Sequence, residues 1–244
     1  MSNPILNENR FAPQEQILTE EPMTINGTVS KIFLLFVCLL AGCAISVYYL
    51  LTNPSFAAPL VGVSAILAFV AVLTACFNVK SAKYLAAPHA LFEGIMLGSI
   101  SAMFESYYHG IVVQAILATF VVLFTMLGLY KARVIRYTEK FQAFLTTAIF
   151  SIFIIYLIQF VATLFSRSIP LIFGNGIVGI IFSLAVILVA AFSLIQDFFF
   201  IESSSERMLS KDYEWLGAIG LMVTLVWLYT EILRFIAIMN SRNN

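Results

Sequence analysis

The stretch WLGAIGLMVTLVWLYTEILRFIAIM, residues 215–239, decides the fold class of this chain. It is long enough to cross a bilayer as a helix, which takes about 20 apolar residues, yet it contains Glu231 and Arg234. Ionisable side chains at membrane depth are costly, so we expect them to face protein and to serve a function. At helical spacing they share one stripe with small and polar residues. The other members of that stripe are Gly217, Gly220, Thr224 and Trp227.

The composition shows that other apolar helices are available to surround this one. Of the 244 residues, 61% are hydrophobic and 11% are charged, and the mean hydropathy is +0.97. These values lie far from those of soluble domains. The formal net charge is zero, which gives no electrostatic basis for binding nucleic acid. The sequence therefore predicts an all-α, polytopic protein embedded in a lipid bilayer.

Seven segments of the chain have the length and composition of a membrane-spanning helix. The gaps between them are short, so one transmembrane domain is predicted over residues 31–239. A polar tail is expected at residues 1–30 and a short C-terminal tail at residues 240–244. The predicted spans are 31–52, 58–78, 86–106, 110–130, 143–165, 176–201 and 215–239.

Lysine and arginine residues occur in alternate loops and predict the orientation of the chain. They follow spans two, four and six, whereas the alternate loops hold only Arg167. Because loops rich in Lys and Arg stay in the cytoplasm, we expect the N-terminus to be cytoplasmic and the C-terminus to lie on the far side. The residues that carry this pattern are Lys80, Lys83, Lys131, Arg133, Arg136, Lys140, Arg207 and Lys211.

Three of the predicted spans direct small residues and carboxylates towards a common interior. Span six carries Asp197 at the end of a line of small and polar side chains. Span three carries Glu93 beside a similar line, which includes a GxxxG pair and ends at Glu105. At a rise of about 1.5 Å per residue, Glu93 and Asp197 lie roughly 8–10 Å from the cytoplasmic ends, whereas Glu231 lies roughly 24 Å in, near Glu105.

Some of these residues also have simpler structural interpretations. An acid at a helix end, such as Glu105, is usually solvated, and Arg234 can extend its head group to the interface. His89 and His109 fall at predicted helix ends, where we expect them to be interfacial and weak metal ligands. The sequence contains no Ser/His/Asp arrangement, His-Glu-xx-His helix or phosphate-binding loop, which argues against a hydrolytic enzyme.

Five stretches spread over nearly the whole chain carry a resemblance to a known family. They are PMTINGTVSK (22–31), FEGIMLGSIS (92–101), HGIVVQAILATF (109–120), SLIQDFFFIE (193–202) and WLYTEILRF (227–235). With the opening MSNPILNENRF, they make the chain similar to bacterial members of the Bax inhibitor-1/YccA-like family. That resemblance implies a fold in which helix seven is wrapped by the other six, and an activity as a pH-sensitive calcium leak.

The resemblance also implies a gate made by an acid near the end of helix six and an acid in helix seven. Asp197 matches the first acid by its place before the Ile-Glu that ends helix six. The second position is Glu231 if the Leu-Tyr-x-acid signature is matched, but Thr224 if the Ile-Leu-Arg run is matched. Glu231 is expected roughly 15 Å from the level of Asp197, which favours Thr224 and leaves Glu93 as the predicted titrating partner.

These observations lead to one main hypothesis and two alternatives. The main hypothesis is a pH-modulated cation conductance, for calcium, between helices three, six and seven in a bacterial inner membrane. Calcium takes oxygen ligands, so Asp197 and Glu93 are candidate transient ligands, with Arg234 as a counter-ion and Glu105 on an outer ion path. No cofactor is expected. The alternatives are a protein that regulates a membrane-bound partner such as a protease, and a proton-coupled carrier of a small solute.

Overall fold

The computed structural model describes residues 21–165, 174 and 176–243, and within them it contains seven long helices. All seven are long and apolar enough to cross a membrane, which confirms the predicted all-α, polytopic fold. They are α1 (Ile25–Thr52), α2 (Ala57–Phe77), α3 (Val79–Tyr107), α4 (Ile111–Lys131), α5 (Glu139–Leu164), α6 (Ile177–Glu206) and α7 (Asp212–Asn243).

Several helices extend beyond the apolar runs that predicted them. α1 begins at Ile25 because Thr24 caps it, its hydroxyl accepting a hydrogen bond of 3.0 Å from the Gly27 amide. α3 begins at Val79, and α7 continues to Asn243. Hydropathy locates the apolar part of a span but not its polar end turns. Much of the expected tails at 22–30 and 240–243 is therefore helical, and residues 1–20 lie outside the described part of the chain.

α7 is the central helix of the bundle, as predicted. It packs against α1, α2, α3, α4 and α6, and the Tyr156 hydroxyl of α5 donates a hydrogen bond to Glu231 on it. In its most apolar stretch 67% of the residues are buried, against 6% in α5. The helix that carries both Glu231 and Arg234 is thus the most buried of the seven.

The GxxxG pair of α3 packs against α1 and does not face the common interior that was expected. A Cβ atom added to Gly94 would lie closer than 3.0 Å to the backbone of Leu39, and one added to Gly98 would meet the backbone of Cys43. On α1, a Cβ atom on Gly42 would meet the Leu91 carbonyl. Small residues on both helices therefore allow their backbones to touch.

The segment before α1 is fastened to the turn between α6 and α7. The Met23 amide donates to the Leu209 carbonyl at 2.7 Å, and the Lys211 amide donates to the Glu21 carbonyl at 3.0 Å. The side chains of Lys211 and Glu21 also form a hydrogen-bonded ion pair, which raises the pKa of Lys211 and lowers the pKa of Glu21. The start of α1 is therefore fixed beside the start of α7.

A buried acid, Glu214, strengthens this junction. Its Oε1 accepts hydrogen bonds from the Thr24 amide at 2.8 Å and the Thr24 hydroxyl at 3.0 Å, and its Oε2 pairs with Lys31. Glu214 lies close over Gly27, where any side chain would collide with its carboxylate. The buried position of Glu214 was not predicted from the sequence, because an acid in the first turn of a helix is ordinarily solvated.

We predict that Gly94→Ala destabilises the protein by about 1–3 kcal/mol, because the new methyl group must push apart the backbones of α1 and α3. The matched control is Gly62→Ala on α2, where a Cβ atom meets nothing within 4 Å. Thermal unfolding in detergent measures both variants. Equal stability of the two would contradict the close packing of α1 and α3.

Candidate functional site

One end of the bundle, which we call the basic end, carries most of the Lys and Arg residues. Helices α2, α4 and α6 end there, and α3, α5 and α7 begin there. The loop at 132–138 and the turn at 207–211 contribute Arg133, Arg136, Arg207 and Lys211. Asp197 lies nine residues before the end of α6, which places it about 14 Å along the helix from that end.

The carboxyl group of Asp197 faces α7. Its Oδ1 lies 3.6 Å from the position of a Cβ atom on Gly220, and the Thr224 side chain interacts with this carboxyl group. The second oxygen, Oδ2, is buried and has no hydrogen-bond partner within the described residues. A buried charge without partners is costly, so this oxygen is suited to take up a proton or a cation.

Tyr137, in the loop between α4 and α5, is the neighbour of Asp197 that the sequence analysis missed. Its ring stacks on Phe199 with 4.5 Å between centroids and meets Phe141 edge to face. Burial raises the pKa of the Tyr137 phenol, and the nearby Asp197 carboxyl raises it further. An aromatic residue in a basic loop gave no signal of this proximity.

Glu93 forms a buried pair with His89 on the same face of α3. The His89 Nε2 atom lies 3.2 Å from Glu93 Oε2, and His89 Nδ1 lies 3.1 Å from the Ala68 carbonyl oxygen of α2. His89 is only 2% exposed. The expectation that His89 is interfacial is therefore wrong, because α3 begins at Val79, about 15 Å before it.

The structure does not bring Glu93 to Asp197 as a partner. Asp197 interacts with Thr224 and lies near Tyr137, whereas Glu93 is held by His89. α6 packs against α1, α4, α5 and α7, and α3 packs against α1, α2, α4 and α7. Among the described residues the two acids therefore have different partners.

Glu93 lies about 21 Å from the start of α3, deeper than the 8–10 Å expected, because the helix begins at Val79, but its level relative to Asp197 is close to the expected one. Ser101 on α3 lies 2.8 Å from Tyr229 on α7, hydroxyl to hydroxyl, and both helices run in the same direction. Glu93 lies eight residues before Ser101, and Thr224 lies five residues before Tyr229, so the two differ in depth by only about 4–5 Å. Spacing along a helix predicts depth, but it does not predict which neighbour lies on each side.

Glu231 belongs to a separate cluster farther along α7. The Tyr156 hydroxyl donates to Glu231 Oε1 and accepts a hydrogen bond of 2.9 Å from Arg234 Nη1, which lies 3.8 Å from Glu231 Oε2. The structure thus places Arg234 beside Glu231, where a counter-ion was predicted, and adds Tyr156 from α5. Seven residues, or about 10 Å, separate Glu231 from Thr224.

Glu105 caps the next helix. Its carboxylate accepts hydrogen bonds from the amides of Gly110 at 2.5 Å and Val112 at 3.1 Å, at the start of α4. Gly110 has a φ of 82°, a left-handed conformation that favours glycine. Negative charge at a helix N-terminus is stabilising, so this geometry gives Glu105 a structural function. Its place on an ion path stays a prediction.

Across residues 21–165, 174 and 176–243, no three His, Cys, Asp or Glu side chains come together in a way that could hold a metal ion. The ionisable groups described above instead form pairs or small clusters, and each of these links two helices or two turns of one helix. These features define a class of protein, a polytopic membrane bundle built around one buried helix that carries ionisable and polar groups.

The comparison with protein families is consistent with this class. The chain belongs to the Bax inhibitor 1 like family, whose model matches residues 3–241, nearly the whole chain. The family resemblance found in the sequence is therefore confirmed. No curated protein matches the chain.

We predict that Tyr156→Phe destabilises the protein by about 1–3 kcal/mol, because it removes a buried hydroxyl that Glu231 and Arg234 both use. The control is Tyr48→Phe on α1, since Tyr48 is 75% exposed. Thermal unfolding in detergent compares the two. A Tyr156→Phe protein as stable as the control would show that the hydroxyl contributes nothing to holding α5 on α7.

Proposed function

We propose that the protein conducts a cation, calcium being the best suited, and that the contact between Asp197 and Thr224 is its proton-sensitive gate. One observation carries the proposal. Among the acids with a buried carboxylate oxygen, Glu214 has Lys31, Glu93 has His89 and Glu231 has Arg234, whereas Asp197 interacts with Thr224 and with no basic side chain of the described residues. Asp197 is therefore the acid whose negative charge has no basic side chain held beside it.

When Asp197 gains or loses a proton, the number of donors or cations that its carboxyl group needs between α6 and α7 changes. The protonated carboxyl group of Asp197 can stay buried with one hydroxyl group as its polar partner. The carboxylate needs further donors or a cation around Oδ2, and these can enter only if the packing next to Asp197 loosens. The protonation state and the width of the passage between α6 and α7 are thereby coupled.

The polar face of α7 supports a path that begins at this gate. Gly220, Thr224 and Glu231 follow one another at spacings of four and seven, so they lie on one side of the helix. Calcium is a hard cation that is satisfied by carboxylate, hydroxyl and backbone oxygens. Arg234 beside Glu231 repels a cation at the other end, which makes that cluster a second barrier.

The proposal includes an orientation. The basic end is cytoplasmic by the positive-inside rule, which places the gate at Asp197 near the cytoplasm of a bacterial cell. The seven spans then put the C-terminus on the far side of the inner membrane, and the barrier at Glu231 lies towards that side.

We expect Asp197→Asn to abolish the pH dependence of calcium flux, because the amide keeps the size of the acid but cannot titrate. Flux into liposomes that contain an indicator dye is measured across a range of pH, with empty liposomes as the baseline. Glu206→Gln, an exposed acid on the same helix, is the control and should keep the wild-type profile. An unchanged profile in Asp197→Asn would refute the proposed sensor, and flux equal to that of empty liposomes would refute the conductance.

The partner of Asp197 can be tested in the same assay. Thr224→Val removes the hydroxyl at nearly constant shape, and we expect the pH midpoint of flux to move up by about one unit, because a donated hydrogen bond stabilises the ionised carboxylate. Glu93→Gln should leave the midpoint in place, since Glu93 pairs with His89. The opposite result would restore Glu93 as the titrating partner.

The alternative of regulating a membrane-bound partner also has a structural basis. Residues 21–23 are fastened to the turn before α7, so a protein that bound the preceding residues would pull on that turn. Deleting residues 2–20 should then abolish capture of the partner while calcium flux survives. A proton-coupled carrier would instead show counterflow of a small solute in the same liposomes.

A further inference from the structure

An apolar cavity lies on the side of α7 away from Thr224. It has a volume of about 300 Å³ and is enclosed by α1, α3, α4 and α7. The α7 residues that line it are Met222, Leu225, Val226 and Tyr229, which follow a helical stripe of their own. The cavity and the proposed gate therefore touch opposite sides of the same helix.

The hydroxyl groups in the cavity wall are already satisfied. Ser101 and Tyr229 hydrogen-bond to each other at 2.8 Å, and Thr119 donates to the carbonyl of Ala115 at 2.7 Å. The remaining lining is aliphatic or aromatic apart from one cysteine thiol and one glycine. Such a cavity excludes water, so it is not part of an ion path, and its occupant must be apolar along its length.

The cavity is elongated along the membrane normal. Its lining runs from Ile32 to Val47 on α1, which is about 22 Å of helix, from Val112 to Phe120 on α4 and from Met222 to Tyr229 on α7, which are about 10–12 Å each. We call this cavity of about 300 Å³, which follows the helices lengthwise, the slot. A hydrocarbon chain lying along the helices fits it.

The slot opens to the bilayer between α1 and α4. Leu40 and Val47 on α1, and Ile116 on α4, line the slot and are also 52%, 39% and 41% exposed. One turn away, the rings of Phe36 and Phe120 meet edge to face with 6.3 Å between their centroids, so the gap is closed there and open at Leu40, Val47 and Ile116. A molecule in the surrounding bilayer can therefore reach the slot sideways.

We propose that this slot binds one acyl chain of a membrane phospholipid. An unfilled slot forfeits the dispersion contacts of its lining, and an acyl chain restores them without leaving any polar group unpaired. Acyl chains are the molecules of this shape and polarity that surround the protein at this depth. A bound chain packs against Met222 and Val226 and supports α7 from behind the gate.

The proposal is tested by photo-crosslinking in liposomes. The probe is a phosphatidylethanolamine that carries a diazirine in its acyl chain, and the labelled positions are mapped by mass spectrometry after illumination. We expect labels on Met222 and Val226, which are only 3% and 6% exposed, in addition to labels on side chains that face lipid. Labels confined to the exposed side chains would overturn the proposal.

A pair of variants separates binding in the slot from general contact with lipid. Ile116→Trp fills the mouth of the slot, whereas Ile154→Trp makes the same change on α5, at a residue that is 42% exposed against 41% for Ile116. We expect Ile116→Trp to lower labelling of Met222 and Val226 roughly tenfold and Ile154→Trp to leave it unchanged.

A second variant is available if Ile116→Trp fails to fold. Thermal unfolding identifies a variant that fails to fold, and Val112→Phe, which fills the slot from another position on α4, then replaces it. Labelling that persists in a folded, filled variant would overturn the proposal. Labelling by a diazirine fatty acid but not by the phospholipid would do so too.

Discussion

Charged side chains at membrane depth must find partners inside the protein, and α7 cannot exist in the bilayer without them. Glu214 at its start is held by α1, and Glu231 farther along is held by α5 through Tyr156. Asp197 brings a further carboxyl to it from α6. Each of these contacts fixes a different helix to α7, so the wrapping of the central helix follows from the need to shelter its charges.

The two sides of α7 are therefore chemically different. One side carries Gly220, Thr224 and Glu231 and meets the polar groups of α5 and α6, whereas the other carries Met222 and Val226 and faces an apolar slot. Water and ions are stable on the first side and excluded from the second. A displacement of α7 that widens one side must narrow the other, which gives the packing behind the helix an influence on the gate.

The sequence predicted those features that depend on distance along a helix. The seven spans and the place of Arg234 beside Glu231 follow from apolar length and helical spacing. The central position of helix seven and the two candidate partners of Asp197 were implied by the family resemblance, and depth favoured Thr224 over Glu231. Apolar length, helical spacing and depth are set locally, so one sequence is sufficient to estimate them.

Features that depend on contacts between helices were missed. Glu93 has about the predicted level relative to Asp197, but its partner is His89, four residues earlier on the same helix, and the rotation of α3 directs the glycine face to α1. Tyr156 and Tyr137 gave no signal, because a tyrosine in an apolar run or a loop is common and only the fold shows which carboxyl it meets. The error on His89 arose from a helix boundary, since the polar first turns of α3 look like a loop in a hydropathy profile.

The two ends of the polar face are held in different ways, and this difference bears on how an ion would pass. Asp197 at the basic end lies between α6 and α7, two helices that pack against each other extensively, so a change in its charge is what alters the contact. Glu231 keeps a fixed counter-ion in Arg234 and is covered by α5, a helix with few buried residues. Because few apolar contacts hold α5, its displacement costs little apart from the hydrogen bonds of Tyr156. In the proposed conductance a proton would thus control the first barrier and a helix movement the second, and an ion would pass only when both are open together.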